Sequence, residues 1–336
     1  MTDQYKNKNI LITGAEGFIG SHLLEAIVKR NCNVRAMVLY NSFNSWGWLE
    51  TLDPYILKNI EIFTGDIRDA KSVNNACKGI DYVFHLASLI AIPYSYNSPY
   101  SYLETNSLGT MNLLEASLQN NIDKFIHTST SEVYGSVTKL PIDESTAVVS
   151  KSPYSATKIA ADQIAYSYFS TFNLPVGIIR PFNTYGPRQS NRAIIPTIIT
   201  QLIKNRKKIK LGSIYPTRDF TYIDDTVNAF LKFGNTKKTT GEIINIGTGF
   251  EISIKELIKL ISKITKKTIN VEQDKARVRP KLGEVDRLKA NNKKAKEIIG
   301  WTPKYVGQSG LQKGLQSTIR WFENNIDKYK SNIYNV

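Results

Sequence analysis

Tyr154 and Lys158 stand four residues apart in a run that reads as a helix, so their side chains share one face. An ammonium beside a phenol lowers the phenol's pKa, and a tyrosine so tuned can take a proton from a hydroxyl while hydride leaves the same carbon. Upstream, Thr128–Ser131 is an unbroken cluster of hydroxyl side chains that can hold a substrate oxygen against that tyrosine. Far from both in sequence, Gly14, Gly17 and Gly20 form a G-x-x-G-x-x-G turn directly after a short β-rich run. Glycines so spaced permit a tight turn and bring backbone N–H groups up to a pyrophosphate at a helix N-terminus. Spaced glycines alone are a weak signal. Strand, turn and helix in this order give them a dinucleotide-binding meaning.

The elements that must position these residues alternate. Asn9–Thr13, Val34–Tyr40, Ile60–Thr64, Tyr82–Leu86, Lys124–Thr128 and Val176–Arg180 read as strands, with helical patterns between most of them. Ile19–Lys29, Leu103–Gln119 and Tyr154–Phe169 are the clearest helices. Strands alternating with helices predict an α/β chain with a doubly wound parallel sheet. Ligands in such sheets bind at the carboxyl ends of the strands, where Thr128–Ser131 stands. After Arg180 the rhythm changes: Pro181–Pro187 is punctuated, Ile195–Asn205 and Ser253–Ile264 read as helices, Phe220–Ile223 as a strand, and Asp274–Arg287 as a charged stretch. We therefore expect residues 1–180 to form the dinucleotide-binding domain, with segments near 215–232 and 243–250 returning to it. Residues 181–336 would be mainly a smaller substrate-binding region. The polar stretch Asn325–Val336 is expected to fray.

Lys and Arg total 44 against 29 Asp and Glu, a formal net charge of +15, which raises the question of nucleic acid or a membrane surface. The cations are scattered in short groups such as Lys204–Lys210 and Lys263–Lys267, in a chain also rich in Asn and Ile. There is no nucleic-acid module and no aromatic–basic stripe, so no nucleic-acid or membrane partner is expected. Cys32 and Cys77 are isolated, without metal-like spacing, and imply a reducing compartment. The start is polar and the first apolar run is too short for a signal or span, so a cytoplasmic enzyme is the expectation.

The ribose reader is missing from its usual place. An acid at the end of the second strand would bind the 2′-hydroxyl of NAD, and a basic residue would suit the phosphate of NADP. Here the strand ends Leu39, Tyr40, Asn41, Ser42, with neither sign. NAD is the expected cofactor, with NADP still open. Asp66, after the third strand, can contact adenine or cap the next helix. His85 ends an apolar strand and reads as structural.

With these pieces assembled, the chain resembles the extended short-chain dehydrogenase/reductases of the nucleotide-sugar epimerase/dehydratase family, which have a Rossmann-type fold. The resemblance is carried by I-T-G-A-E-G-F-I-G-S-H-L (Ile12–Leu23), G-D-I-R-D (Gly65–Asp69), H-L-A-S (His85–Ser88) and N-S-L-G-T-M-N-L-L-E-A (Asn106–Ala116). It continues through S-T-S-E-V-Y-G (Ser129–Gly135), Y-S-A-T-K (Tyr154–Lys158), R-P-F-N-T-Y-G-P-R-Q (Arg180–Gln189), R-D-F-T-Y-I-D-D (Arg218–Asp225) and G-W-T-P-K (Gly300–Lys304). It implies that Thr130, Tyr154 and Lys158 are the hydride-transfer trio. It further implies a cofactor site of Gly14, Gly17, Phe18, Ile19, Gly20, Tyr40, Asp66, Ile67, Leu86, Ala87 and Asn106, completed by Tyr154 and Lys158. For a nucleotide-diphosphate sugar it implies Ser88 and Arg192, with Asn183 touching the phosphates and Arg218 and Arg279 clamping the nucleotide end. Arginine suits that work because its planar fork pairs bidentately with phosphate. Members commonly pair helices into a four-helix bundle, so a homodimer or homotetramer is expected, through Leu103–Gln119 and Tyr154–Phe169.

Within the family the residues after Thr130 discriminate. Epimerases generally carry small or apolar residues there, whereas this chain has Ser131 and Glu132. A carboxylate beside the tyrosine permits a second step: once C4 is a ketone the C5 proton is acidified, and Glu132 can remove it as the 6-hydroxyl leaves. Thr-Ser-Glu resembles the triad of GDP-mannose 4,6-dehydratases, while dTDP-glucose dehydratases carry Thr-Asp-Glu with the Asp as acid. Ser131 cannot be that acid at neutral pH, which leaves Glu132 to pass a proton to the departing oxygen. The same triad occurs in UDP-glucuronate decarboxylases, but Ala87–Tyr96 offers no basic group for a glucuronate carboxylate. That stretch, with Tyr40–Trp48 and Pro216–Tyr222, resembles the bacterial dehydratases of legionaminic acid biosynthesis, which act on GDP-N-acetylglucosamine. A 4,6-dehydratase of that substrate is the expectation; a decarboxylase or 4-epimerase is the alternative.

Overall fold

The computed structural model describes residues 4–206 and 208–330. The first half runs β1 (Asn9–Thr13), α1 (Phe18–Val28), β2 (Asn33–Leu39), α2 (Pro54–Lys58), β3 (Ile60–Gly65), α3 (Ala70–Cys77), β4 (Tyr82–His85), α4 (Ile92–Asn97) and α5 (Pro99–Tyr102). It continues with α6 (Gly109–Gln119), β5 (Lys124–Thr128), α7 (Pro153–Phe172) and β6 (Val176–Pro181). Then come β7 (Asn183–Tyr185), α8 (Ile194–Ile203), β8 (Ile209–Leu211), β9 (Thr217–Tyr222), α9 (Ile223–Gly234) and β10 (Ile243–Ile246). The chain closes with β11 (Glu251–Ser253), α10 (Ile254–Thr265), β12 (Val271–Gln273), α11 (Lys293–Ile299) and α12 (Gly307–Asn324).

Seven strands make one parallel sheet in the order β10-β6-β5-β4-β1-β2-β3. The central strands β4 and β6 are buried along their whole length, as parallel strands under two helix layers must be, and are apolar except near their carboxyl ends, at His85 and Arg180. The chain winds outward from β1 through β2 to β3, then returns to β4 and winds the other way. This reversal opens a crevice at the carboxyl ends of β1 and β4, the position where doubly wound sheets bind ligands. The register Thr13↔His85↔His127 sets the strand ends level along that crevice.

The smaller region contributes a three-stranded sheet, β11-β9-β7, and a two-stranded one, β12-β8. Of the later segments, β10 borders β6 in the main sheet and α9 packs on α1, while β9 belongs to the three-stranded sheet. Asp274–Arg287 contains only two short 3-10 turns.

The helix expected over Leu103–Gln119 is interrupted. Its first part, Leu103–Leu108, is π-helical, and only from Gly109 is it an α-helix. The wider turn directs Asn106 inward, where it accepts from Leu89 N–H and Ser88 Oγ at 2.8 Å each and donates to Leu89 O and Thr157 Oγ1. Wider turns of this kind recur at functional sites. The expected fraying from Asn325 is also corrected: Tyr329 is buried, with its ring 4.7 Å from Phe322 and 5.7 Å from Trp48. The rest of that polar stretch, 331–336, lies outside the described residues.

Candidate active site

One cleft of about 1410 Å³ runs from the glycine turn across the ends of β1, β4 and β5 to the smaller region. A pocket for one small ligand is typically 300–1,000 Å³ in order of magnitude, so roughly this volume accommodates two ligands end to end. Gly14 has φ +67°, and a Cβ there would lie 2.8 Å from Ala87 N, so the turn presses directly on the loop after β4. A Cβ on Gly20 would lie 2.1 Å from Gly14 O. Gly17 caps α1 without a side chain, which leaves the first N–H groups of that helix free of a side-chain acceptor for an anion. Thr13 Oγ1 accepts from both Leu86 and Ala87 N–H at 3.2 Å, tying β1 to β4 at the crevice. Phe18, Ile19, Asp66 and Ile67 line the same end. These residues fit a dinucleotide.

Two expected contacts differ, and of the two roles open to Asp66 one is excluded. Tyr40 is 72% exposed and is not part of the cleft wall, because the chain turns outward at the end of β2. Asn106 is buried behind the wall and supports the Ser88–Leu89 loop rather than facing the cleft. Asp66 lines the cleft but does not cap α3, a position taken by Asp69; instead it pairs with Arg68 at 2.6 Å.

The reacting groups come from two capped elements. Ser152 and Ser155 form a reciprocal capping box, and Pro153 opens the helix, so Tyr154 sits in the first turn of α7 with its side chain buried. A 3-10 turn, Ser131–Tyr134, follows β5, and Thr130 Oγ1 accepts from Glu132 N–H at 3.2 Å at its start. Thr130 also hydrogen-bonds the Tyr154 hydroxyl. Ser131 is buried and does not line the cleft. Lys158 Nζ donates to Thr128 O at 2.7 Å.

The expected lowering of the tyrosine pKa is absent from the protein alone. Burial pushes the Tyr154 phenol well above its ordinary value, and the Thr130 hydrogen bond opposes this only in part. Burial also pushes Lys158 down, to about 8, against the pull of Asp162. Both charged forms are disfavoured for one reason, a site removed from water. Asp162, one turn beyond Lys158, accepts from Ser129 Oγ at 2.7 Å and from Arg180 Nη2 at 2.8 Å, and lies 3.2 Å from His127 Nε2. His85 bridges Thr13 and Thr110 inside the sheet and is structural.

Glu132 is 8% exposed, and Arg279 reaches it with both terminal guanidinium nitrogens, Nη1 to Oε2 at 3.3 Å and Nη2 to Oε1 at 3.4 Å. Burial raises the carboxyl's pKa, but the charges of Arg279 and Arg218 outweigh it, and the net position is below the ordinary range. Glu132 is therefore ionised at neutral pH and able to accept a proton. The guanidinium of Arg279 is engaged at this carboxylate, and 3.8 Å from Glu284, rather than standing free for a nucleotide. Arg218 is likewise occupied, by Thr217 O and Val285 O at 2.8 Å each and by Glu284 at 3.3 Å. Arg192 lines the cleft and is exposed; Asn183 lines it with a buried Oδ1 that has no partner; Ser88 lines it from the loop after β4 that Asn106 supports.

Replacing Arg279 by methionine leaves burial of Glu132 opposed by Arg218 alone, so the carboxyl pKa rises. The acid limb of the pH–rate profile is expected to move upward by about one pH unit or more. Stability at neutral pH falls as that pKa rises. A depressed carboxyl pKa contributes stability above the ordinary range that is lost as pH falls through the folded value, and the variant forfeits it. An unmoved acid limb would show that Arg279 does not set the ionisation of Glu132.

Sequence reasoning missed Asp162, Glu284 and Asn106's supporting role. Asp162 carries a signal, since 154, 158 and 162 repeat one helical spacing; Glu284 lies in an irregular charged stretch and carries none.

Residues 11–314 match the family model described as GDP-mannose 4,6 dehydratase. The chain is 32% identical to the dTDP-D-glucose 4,6-dehydratase of Mus musculus over 329 residues, covering 96% of this chain and 91% of the other. The dTDP-glucose 4,6-dehydratase DesIV of Streptomyces venezuelae, solved with NAD bound, superposes with a TM-score of 0.84 at 28% identity, covering 96% and 99% of the two chains. The UDP-glucuronic acid 4-epimerase of Bacillus cereus, solved with UDP-glucuronic acid and NAD, gives 0.84 at 30% identity over 94% and 99%. With the parallel sheet, the glycine turn and the Thr130–Tyr154–Lys158 trio in one cleft, this chain belongs to the NAD-dependent nucleotide-sugar epimerase/dehydratase family.

Proposed function

We propose that the chain is a nucleotide-sugar 4,6-dehydratase converting GDP-N-acetylglucosamine to its 4-keto-6-deoxy derivative. One observation carries the reading: a buried carboxylate, Glu132, paired with Arg279 in the wall of the cleft beside Tyr154. A 4-epimerase needs only one group to move the C4 hydroxyl proton. Elimination across C5–C6 needs a second base, and Glu132 supplies it.

Tyr154 takes the C4 hydroxyl proton while Thr130 holds that oxygen. Glu132 then removes the acidified C5 proton and passes a proton to the departing 6-hydroxyl, directly or through water. NAD bound in this cleft would supply the acceptor for the C4 hydride and the donor for C6; C5 takes back a proton as C6 is reduced and Tyr154 gives up the one it took, so a turnover loses one water and leaves the cofactor unchanged. Glu132 changes role from base to acid within one turnover, and Arg279 stabilises its charged state at both ends.

The GDP-N-acetylglucosamine assignment is supported by the likeness of Tyr40–Trp48, Ala87–Tyr96 and Pro216–Tyr222 to the dehydratases of legionaminic acid biosynthesis. It implies a cytoplasmic role in surface-glycan biosynthesis. By the same family likeness we infer a dinucleotide-binding part of 1–180, a mainly substrate-binding 181–336, and a homodimer or homotetramer built on α6 and α7. Leu108, Met111, Tyr166 and Phe172 are exposed apolar residues on or beside those helices. No helix among the described residues is long and apolar enough to cross a membrane.

The test is incubation with GDP-, UDP- and dTDP-linked glucose and N-acetylglucosamine, scored by mass spectrometry. Loss of one water from GDP-N-acetylglucosamine is expected. UDP-glucuronate and UDP-glucose serve as controls: loss of carbon dioxide from the first, or isomerisation of either without mass change, would replace the proposal with a decarboxylase or an epimerase.

A further inference from the structure

The end of β2 offers the cofactor's ribose only aliphatic side chains, Val38 and Leu39, although an acid is the usual reader of that ribose. A carboxylate is nevertheless present at that spot in space. Glu16, from the middle of the glycine turn, reaches across so that its Oε1 accepts from Leu39 N–H at 3.0 Å. Its other oxygen, Oε2, is buried with no hydrogen-bond partner, and the residue lines the cleft. A buried carboxylate oxygen without a donor is costly, and one in the wall of a ligand cleft is satisfied when a ligand hydroxyl arrives.

The loop after β2 holds Glu16 in this position. Asn41 staples the loop, accepting from Phe43 and Ser45 N–H and donating to Ser45 O at 2.8 Å. The loop then folds back on the glycine turn, where Trp48 N–H donates to Glu16 O at 3.0 Å. Gly47 is required there: its φ is +55°, and a Cβ would lie 2.9 Å from Glu16 O. Trp48 is anchored in turn, its ring 5.5 Å from Trp321. Burial raises the Glu16 pKa, and the N–H groups of Leu39 and of Glu16 itself pull it back. A hydroxyl donated to Oε2 would add to that pull.

We propose that Glu16 is the ribose-reading and cofactor-specifying residue, its Oε2 accepting from the adenosine 2′-hydroxyl of NAD and repelling the 2′-phosphate of NADP. The charges around it agree. Glu50 lines the same end, and the nearby cation on the wall, Arg68, is already paired with Asp66 at 2.6 Å and Glu104 at 3.7 Å. The chain thus moves the acid from the second strand to the glycine turn.

The test reads bound cofactor rather than turnover. The full-length protein is equilibrated with equimolar NAD and NADP, freed of unbound nucleotide and denatured, and the released dinucleotides are quantified. The wild type is expected to release NAD almost alone. Glu16→Gln keeps an oxygen for Leu39 N–H, removes the charge, and should raise the NADP share about tenfold or more, the worth of one charge-assisted hydrogen bond. A second exchange, NAD against 2′-deoxy-NAD, needs no variant: the wild type should favour NAD about tenfold, and Glu16→Gln should lose that preference. Equal retention of the two by the wild type would overturn the proposal. So would a folded Glu16→Gln protein whose NAD:NADP ratio is unchanged.

Discussion

Glu132→Gln is expected to stop dehydration while leaving the first half of the reaction in place. Glutamine keeps the shape of the side chain and one oxygen for Arg279, so the pocket survives. It cannot take the C5 proton or give one to the leaving oxygen. General base catalysis contributes roughly 10²–10⁴ in rate, and Glu132 serves twice, so the loss should fall at the upper end of that range. Because Tyr154 and Thr130 are untouched, C4 is still oxidised, and reduced nicotinamide should persist on the enzyme instead of being consumed at once. In deuterated water the wild type should place solvent deuterium at C5 of the product, and the variant's recovered substrate should carry none. Dehydration at near-normal rate would sink the assignment of Glu132. The same variant separates the two halves of the family: an enzyme working only at C4 would not need this carboxylate, and its rate would hardly change.

Much of this site is legible in the sequence because it is made of local geometry. The glycine spacing follows from a turn in which Gly14 and Gly20 have no room for a Cβ, and the Tyr154–Lys158 spacing is one helical turn. The strands of the first half show equally well, since parallel strands buried on both faces read as short apolar runs. What the spacing does not reveal is the partner that comes from a distant segment. Arg279 meets Glu132 across 147 positions of chain, from an irregular stretch with no periodicity, and reads in the sequence as one more cation. Glu16 shows the same effect at shorter range. Its carboxylate belongs to the glycine turn in sequence and to the end of β2 in space, so a search along β2 finds no acid. Tyr40, which the resemblance implies for the cofactor site, points to solvent for the complementary reason: the strand has ended and the backbone has turned. The π-helical stretch at Leu103–Leu108 has no compositional mark either; it is visible only in where Asn106 has to reach.

The electrostatics change what is expected of Tyr154. In the protein alone both Tyr154 and Lys158 are disfavoured in their charged forms by burial, so neither spacing nor proximity makes the phenol a base. Against burial stand the Thr130 hydrogen bond at the phenol and a Lys158 kept protonated near neutrality with the help of Asp162, and a cationic cofactor bound beside them would add to that support. Tyr154→Phe removes one oxygen and nothing else. The ring still packs edge-on against Tyr102 at 6.2 Å, so the fold and nucleotide-sugar binding should be retained. Turnover should fall about a thousandfold, inside the roughly 10²–10⁴ span for a lost general base. No reduced nicotinamide should appear on mixing with substrate, in contrast to Glu132→Gln, where it should accumulate. The two variants therefore stop the reaction on opposite sides of hydride removal. If Tyr154→Phe still reduced the bound nicotinamide at a rate near the wild type's, some other group would be taking the C4 hydroxyl proton. The ordering of Tyr154 before Glu132 would then fail, whatever the fate of the second step.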